Sequence, residues 1–399
     1  MTRITAIETI RNGTWSNFLW VRIETEDGRV GLGETFRHPV PIASYIHDVI
    51  APWLVGRDAG AVAAIAHGLR TEGGLRFLGT PTRSVEIRAN SAVDIALWDL
   101  KGQAAGMPLH ALLGGPVRER IPVYNTCAAA GYNWRAGLAR ARHAGDGDDD
   151  LDLQRSDPGR LARSLLDEGI RAMKIWPFDA YADASGGHMI SAADLFEGLS
   201  RIEAIRDAVG GEMEILLEYH GLWRQAPARR IIEATRRFDP FWHEDPIPME
   251  ELGQLAELRR ATGAQIAGSE SHGTSIWVRD ALAVGALDYV HFDIAWTGGM
   301  SEAIRTAHLC AAHDRLIAPH DCTGPVTWVA NLHLALAFPN ALWLESVRAY
   351  YDGFYRDLVT ALPRIEDGHA WAMEGTGLGT TLAETLLNHP DTVVERSAA

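Results

Sequence analysis

From Ile121 onward the chain repeats one rhythm, and that repetition restricts its fold more than any other feature. Short apolar runs alternate with amphipathic helical stretches: IPVYNT, GIRAMKIW, EILLEYH, PFWHEDP, AQIAGSES, DYVHFDI, RLIAPHD and ALWLES. From the second run onward each closes on an ionisable residue, namely Lys174, Glu218, Glu244, Glu270, Asp293, His320 and Glu345. The steps between them are 44, 26, 26, 23, 27 and 25 residues. A near-constant period with a helix in each gap is the pattern of repeated βα units, and eight such strands close into a parallel barrel. The long first step contains DAYADASGGH, which reads as a glycine-rich loop, and RHAGDGDDDLDLQRSDPG, between the first two runs, reads as an acidic surface insertion.

The first 125 residues follow a different pattern. NFLWVRIETEDGRVGLGETF is two β-rich runs joined around Asp27-Gly28, a strong hairpin signal. In RANSAVDIALWDLKGQAAGMPLHALLGG, Val93, Ala96, Leu97 and Leu100 share one helical face, and Gly114-Gly115-Pro116 supplies a stop. The expected division is therefore an α+β domain over 1–125 and a barrel over 126–360. A tail over 361–399 adds no further unit and returns to the first domain.

Composition matters here mainly for what it excludes. A net charge of −15 argues against a nucleic-acid-binding surface. No apolar run approaches the roughly 20 residues of a membrane span, and the opening MTRITAIETI has no long apolar core of a leader. Cys127, Cys310 and Cys322 are scattered and show no CxxC or CxxH spacing. Neither a disulfide framework nor a zinc site is expected, and a reducing cytoplasm is the natural setting.

In a parallel barrel, functional groups gather at the C-terminal ends of the strands, where all seven ionisable residues fall. Glu218, Glu244 and Glu270 come from consecutive strands, and an all-oxygen, like-charged set suits a hard divalent cation, Mg²⁺ first and Mn²⁺ next. The rival arrangement is a ring of salt bridges, but Lys174 is expected to serve one carboxylate, not three. Asp293 and His320 end adjacent strands, so the carboxylate can fix the imidazole tautomer and leave the other nitrogen as a base. His220 lies two residues after Glu218, and strand alternation would turn both side chains inward. Trp176 shares the inward face of Lys174 and shapes the pocket. Glu345 either donates a hydrogen bond when protonated or pairs with a cation.

These motifs together resemble the enolase superfamily, in particular its mandelate racemase-like subgroup, over nearly the whole chain. SAVDIALWDLKGQAAGMPLHALLGG resembles that family's capping-domain helix; GIRAMKIW, EDP, GSES, the Asp293–His320 step and LES fall where its barrel motifs belong. The resemblance implies an α/β fold: a (β/α)8-type, modified TIM barrel with an α+β capping domain formed by the N-terminal region and the C-terminal tail. It implies one Mg²⁺ per subunit, held by Glu218, Glu244 and Glu270 and chelated by a carboxylate substrate. The α-proton is taken by His320, backed by Asp293, and Lys174 helps the metal stabilise the enediolate. Glu345 matches the family's hydrogen-bond donor to the substrate. Homo-oligomers are expected on the same ground.

Two departures narrow the subtype. The racemase pattern Lys-x-Lys at the second strand is here Lys174-Ile175-Trp176, so the second base is missing. His220 instead resembles the general acid of sugar-acid dehydratases, which expels the β-hydroxyl. This implies dehydration of an aldonic or aldaric acid to a 2-keto-3-deoxy acid, with a cycloisomerase or epimerase on the same enediolate as the alternative. The other departure is Glu218, where Asp is usual. Substrate choice in the family lies in capping-domain loops, here RNGTWSN and TEGGLRFLGTP, with Trp15 and Arg76 as candidate contacts. Surface or interdomain packing is the other explanation for those two.

Overall fold

A computed structural model describes residues 2–72, 84–132, 149–272 and 274–398. Arg76 and residues 142–148 of the acidic insertion lie outside the described residues. Three strands open the chain: β1 (Ile4–Asn12), β2 (Phe18–Thr25) and β3 (Val30–Phe36). The β2–β3 turn is the expected one, with Gly28 at φ 83°.

The helix Val85–Ala105 lies against β3, capped at its start by Ser84, whose hydroxyl accepts the Ile87 N–H. Val93, Ala96, Leu97 and Leu100 are buried as expected, but so is most of the helix on every side. Its other face is clamped to the segment after Gly298: Asp94 accepts the Ser301 N–H at 2.8 Å and hydroxyl at 2.6 Å, and Ser91 accepts the Gly298 N–H at 2.8 Å. A helix held between two layers loses the one-sided pattern of a surface helix. Gly31 and Gly33 permit the close approach of β3, since a Cβ on either would collide with the carbonyls of Ala96 and Ala92. The helix ends at Gly106, φ 66°, earlier than expected; Gly114 follows a second short helix, Leu109–Leu112.

Eight strands then form the barrel: β4 (Arg120–Thr126), β5 (Ala172–Ile175), β6 (Glu214–Glu218), β7 (Trp242–Glu244), β8 (Ile266–Gly268), β9 (Tyr289–Val290), β10 (Leu316–Ile317) and β11 (Leu344–Ser346). Each falls in one of the eight apolar runs. Neighbours from β4 to β10 pair in parallel, and β11 pairs in parallel with β4. An Ile317–Ala341 bridge joins β10 to the segment entering β11, which closes the ring. The interior floor is apolar, made of Tyr124, Ala172, Leu216, Trp242, Ala267 and Ala318, with Tyr289 and Trp343 packed against it. Two residues further along a strand the side chain returns to the same face. That step leads to Thr126, Lys174, Glu218, Glu244, Ser269, His291, His320 and Glu345, a polar layer resting on the apolar floor.

The tail has two parts. A hairpin of β12 (Ile365–Glu366) and β13 (His369–Trp371) pairs with the first residues of β4. The last strand, β14 (Thr392–Ala398), joins the outer edge of β1, so the first sheet runs β14-β1-β2-β3.

Two stretches read as loops carry helices among their described residues. Asp179–Ser185 is a helix, and only the following Gly186 and Gly187 take positive φ. In the acidic insertion, Asp150–Ser156 is a helix capped by Asp149 and anchored by buried Leu151 and Leu153. Its Asp150 is buried too, because Arg348 and Asn125 hold it. Charge count misled there: the acids serve as caps and ion-pair partners. Among the described residues no helix is long and apolar enough to cross a membrane.

Candidate active site

Glu218 and Glu244 are register partners on β6 and β7, and Glu270 stands two residues beyond β8. Each offers a carboxylate oxygen, and these oxygens all lie within 4.8 Å of one another. One oxygen of Glu218 folds back to accept the N–H groups of Tyr219 at 2.9 Å and His220 at 2.6 Å. The other, Oε2, is buried without a hydrogen bond. One oxygen thus pins the turn while the other remains for the cluster. Burial, and then the charge of Glu244, push the Glu218 carboxyl well above the usual carboxylate range. Burial also opposes ionisation of Glu244, but Lys174 and His291 hold its carboxyl well below that range. Asp245, not singled out from the sequence, adds a further buried carboxylate; it accepts the Ser269 hydroxyl at 3.1 Å.

Lys174 serves more than the single carboxylate expected of it. Its Nζ lies 2.7 Å from Glu345, 2.9 Å from Glu244 and 3.5 Å from Glu218. The long side chain rises from the level of Leu216, its register partner, into the centre of the polar layer. The salt-bridge arrangement is thus partly present, and the convergence of three carboxylates with Glu218 Oε2 left unbonded argues for a further cation. One ammonium faces Glu218, Glu244 and Glu345, with Glu270 and Asp245 beyond them. His291, also missed, brings Nδ1 to 3.0 Å from Glu244. Its sequence signal is its place two residues after the inward Tyr289.

Glu345 accepts from Lys174, from the Thr126 hydroxyl and, at 3.0 Å, from the Asp321 N–H. All three partners are donors, so here Glu345 pairs with a cation; donating would require it to gain a proton and give up a partner. Thr126 was missed because the first apolar run ends without an ionisable residue.

His320 and Asp293 meet as the sequence predicts, with Nδ1 2.8 Å from Oδ2. Asp293 also accepts the Ala295 N–H at 2.8 Å and the Thr323 hydroxyl at 2.5 Å, which fixes the carboxylate. The other ring nitrogen, Nε2, is engaged by Glu270 at 3.0 Å. Burial opposes the imidazolium, but the charges of Glu270 and Glu345 and the bonds to Asp293 and Glu270 raise the His320 pKa well above its ordinary value.

His220 reaches the same region by a route other than strand alternation. β6 ends at Glu218, and His220 has left-handed backbone, φ 49°. Its Nδ1 lies 2.6 Å from Oδ2 of buried Asp179, and its ring stands edge-on to Trp176 with centroids 5.7 Å apart. No periodicity marks Asp179, which opens the helix after β5. The His220 N–H is held by Glu218 and His320 Nε2 by Glu270, so both residues border one carboxylate cluster. Trp15 packs instead against His389 of the tail, centroids 5.9 Å apart.

Comparison with known proteins agrees with this architecture. Residues 4–114 match the family described as mandelate racemase / muconate lactonizing enzyme, N-terminal domain, and residues 158–386 match the enolase C-terminal domain-like family. A D-gluconate dehydratase of Thermoproteus tenax is 28% identical over 391 residues, 96% of this chain and 72% of that one. A D-galactonate dehydratase of Verminephrobacter eiseniae is 27% identical over 402 residues, 99% of this chain and 94% of its own. Among solved structures, an enolase protein from Sargasso Sea environmental sequencing is 42% identical with a TM-score of 0.89, covering 100% of both chains. An enolase of the mandelate racemase subgroup from Agrobacterium tumefaciens is 40% identical with a TM-score of 0.88, covering 100% of this chain and 99% of that one. A capping sheet completed by the last strand, a closed parallel barrel and two domain families matched in order lead to one conclusion: the chain belongs to the mandelate racemase/muconate lactonizing enzyme family of the enolase superfamily.

Proposed function

We propose that the protein is a Mg²⁺-dependent sugar-acid dehydratase, a lyase that converts an aldonic or aldaric acid to its 2-keto-3-deoxy product. The observation that carries this is the meeting of two carboxylate-backed imidazoles, His320 on Asp293 and His220 on Asp179, at one carboxylate cluster. The relatives named as D-gluconate and D-galactonate dehydratases support the same chemistry.

The donor set fits a hard divalent cation: three carboxylates converge, and Glu218 Oε2 is buried without a hydrogen bond. Glu218, Glu244 and Glu270 would hold Mg²⁺, which when bound would supply Lewis-acid charge to the substrate carboxylate. Lys174 places a fixed positive charge where negative charge develops on that carboxylate. His320 takes the α-proton at Nε2, which must first exchange Glu270 for the substrate. Asp293 holds the ring at Nδ1 and stabilises the imidazolium that forms. His220, oriented by Asp179, gives a proton to the departing β-hydroxyl, and the resulting enol tautomerises to the ketone. Trp176, where a second base would stand in a racemase, offers no group to return a proton to the α-carbon. We place this activity in the reducing cytoplasm, where the three free cysteines remain thiols.

The test is a screen of aldonic and aldaric acids with Mg²⁺ in D₂O, read by NMR. The reading requires a 2-keto-3-deoxy acid, and its loss in His320→Asn. Deuterium exchange without keto acid would sink it in favour of an epimerase or cycloisomerase.

A further inference from the structure

We infer that Arg37 reads a second anionic group on the substrate, at the end remote from the reacting carboxylate. This deepens the function proposed above and rests on it. Arg37 follows β3, at the corner where the first sheet meets the segment after Asp293. Arg37 and His38 are successive non-glycine residues with left-handed backbone, φ 64° and 57°, a conformation that persists only where the surroundings enforce it. The enforcing contacts are present. The Arg37 N–H donates to the Asn17 carbonyl at 2.8 Å, the Thr35 hydroxyl donates to the Ala295 carbonyl at 2.7 Å, and Phe36 stacks on Trp296 with centroids 5.9 Å apart.

This turn presents an exposed guanidinium 5.5 Å from the Trp296 ring. The ring of Trp296 lies in turn 5.2 Å from that of His320. A single indole therefore separates Arg37 from the imidazole assigned to proton removal. Among the described residues no carboxylate pairs with Arg37. Trp296 is only 5% exposed, and its indole N–H has no acceptor among them. A buried donor without an acceptor is costly, and a ligand oxygen is one way to satisfy it. A guanidinium and an N–H carried on one ring form a donor set for an oxyanion. A terminal carboxylate, as in an aldaric acid, or a terminal phosphate, as in a phosphorylated aldonic acid, presents the paired oxygens that a guanidinium grips; the terminal hydroxyl of a simple aldonic acid does not.

The experiment compares the full-length Mg²⁺-loaded enzyme on matched six-carbon acids: an aldonate, the corresponding aldarate and the 6-phosphoaldonate. Expected is a kcat/KM at least about 100-fold higher for one dianionic acid than for the aldonate, the order of a charge-assisted hydrogen-bond pair. The favoured acid identifies carboxylate or phosphate. Arg37→Gln should remove that preference, leave the aldonate rate unchanged and, being a surface change, leave the melting temperature unchanged. Calorimetric binding of the three acids to His320→Asn gives the same comparison without turnover. If no acid reacts, the dehydratase reading fails, while a dianion preference in binding that Arg37→Gln abolishes still supports the role of Arg37. Equal use of all three acids, or an Arg37→Gln effect that is the same for all or absent, overturns it and leaves Arg37 as a stacking residue only.

Discussion

Replacing Lys174 with methionine tests whether one ammonium and a divalent cation balance the same charges. The methionine side chain keeps most of the volume and removes the positive charge. Lys174 lies 2.7 to 3.5 Å from Glu345, Glu244 and Glu218, and its side chain is 3% exposed, so solvent does little to screen these contacts. Removing one partner of a buried ion pair costs about 3–5 kcal/mol. The low end is expected, because Glu218 can take a proton; burial and Glu244 already push its carboxyl upward. Burial works against the ammonium, but Glu244 and Glu345 raise its pKa well above the ordinary value. A raised lysine contributes stability in full below its unfolded pKa and loses it only at more alkaline pH, so an assay near neutrality sees the whole effect. In chelator, Lys174→Met should melt roughly 5 °C below the wild type, at about 2 °C per kcal/mol for a long chain. Saturating Mg²⁺ should recover part of that loss, stabilising the variant more than the wild type and binding it more tightly by calorimetry. Turnover should still fall by at least about 100-fold, since the fixed charge beside the substrate is gone. Equal Mg²⁺ stabilisation of both proteins would refute the reasoning, for the cation and Lys174 would then act on different charges.

Four further outcomes follow from the geometry. Metal binding requires ionised carboxylates and the Glu218 pKa is raised, so Mg²⁺ affinity by calorimetry should fall as pH is lowered, by at least about tenfold between pH 8 and 5.5. His220→Asn should retain exchange of the α-proton with D₂O yet lose keto-acid formation by at least about 100-fold, as general acid catalysis predicts. Gly33→Ala, which drives a Cβ into the Ala92 carbonyl, should destabilise by about 2–3 kcal/mol in denaturant melts. Gly28→Ala, with nothing near its Cβ but φ 83°, should cost about 1 kcal/mol.

The barrel was legible because its period is enforced by geometry: a strand must alternate with a helix, and each strand end faces the same mouth. The first sheet's hairpin was legible for a similarly local reason, the turn chemistry of Asp27-Gly28. What escaped the sequence depends on contacts between distant segments. The burial of Val85–Ala105 on all sides needs both β3 and the Gly298–Ser301 segment, which lie far from it in sequence. Asp150 reads as a solvated acid until Arg348, 198 residues away, is placed beside it. Asp179 carries no periodic signal, because it opens a helix and touches His220 across 41 residues.

The seven ionisable residues that reveal the barrel do not in fact occupy one level. Stepping two residues from the apolar floor leads to Lys174, Glu218, Glu244, Ser269, His291, His320 and Glu345, whereas Glu270 and Asp293 stand one and two residues further along. The near-constant spacing therefore held although two members lie further out. Those two make the contacts that the ladder cannot: Asp293 reaches back to Nδ1 of His320, and Glu270 to Nε2. On the ladder itself Lys174 meets three carboxylates and neutralises the charge of one. Above this ladder Glu270 faces the His320 imidazole, while burial and the charge of Glu270 push the Asp245 carboxyl well above the usual carboxylate range. Three carboxylates that converge in a buried site repel one another, and a cation held there, as proposed above, would relieve that repulsion. On that proposal, neutralising Glu270 would also loosen its hold on His320 Nε2, so the charge that completes the cluster would be the same charge that frees the base.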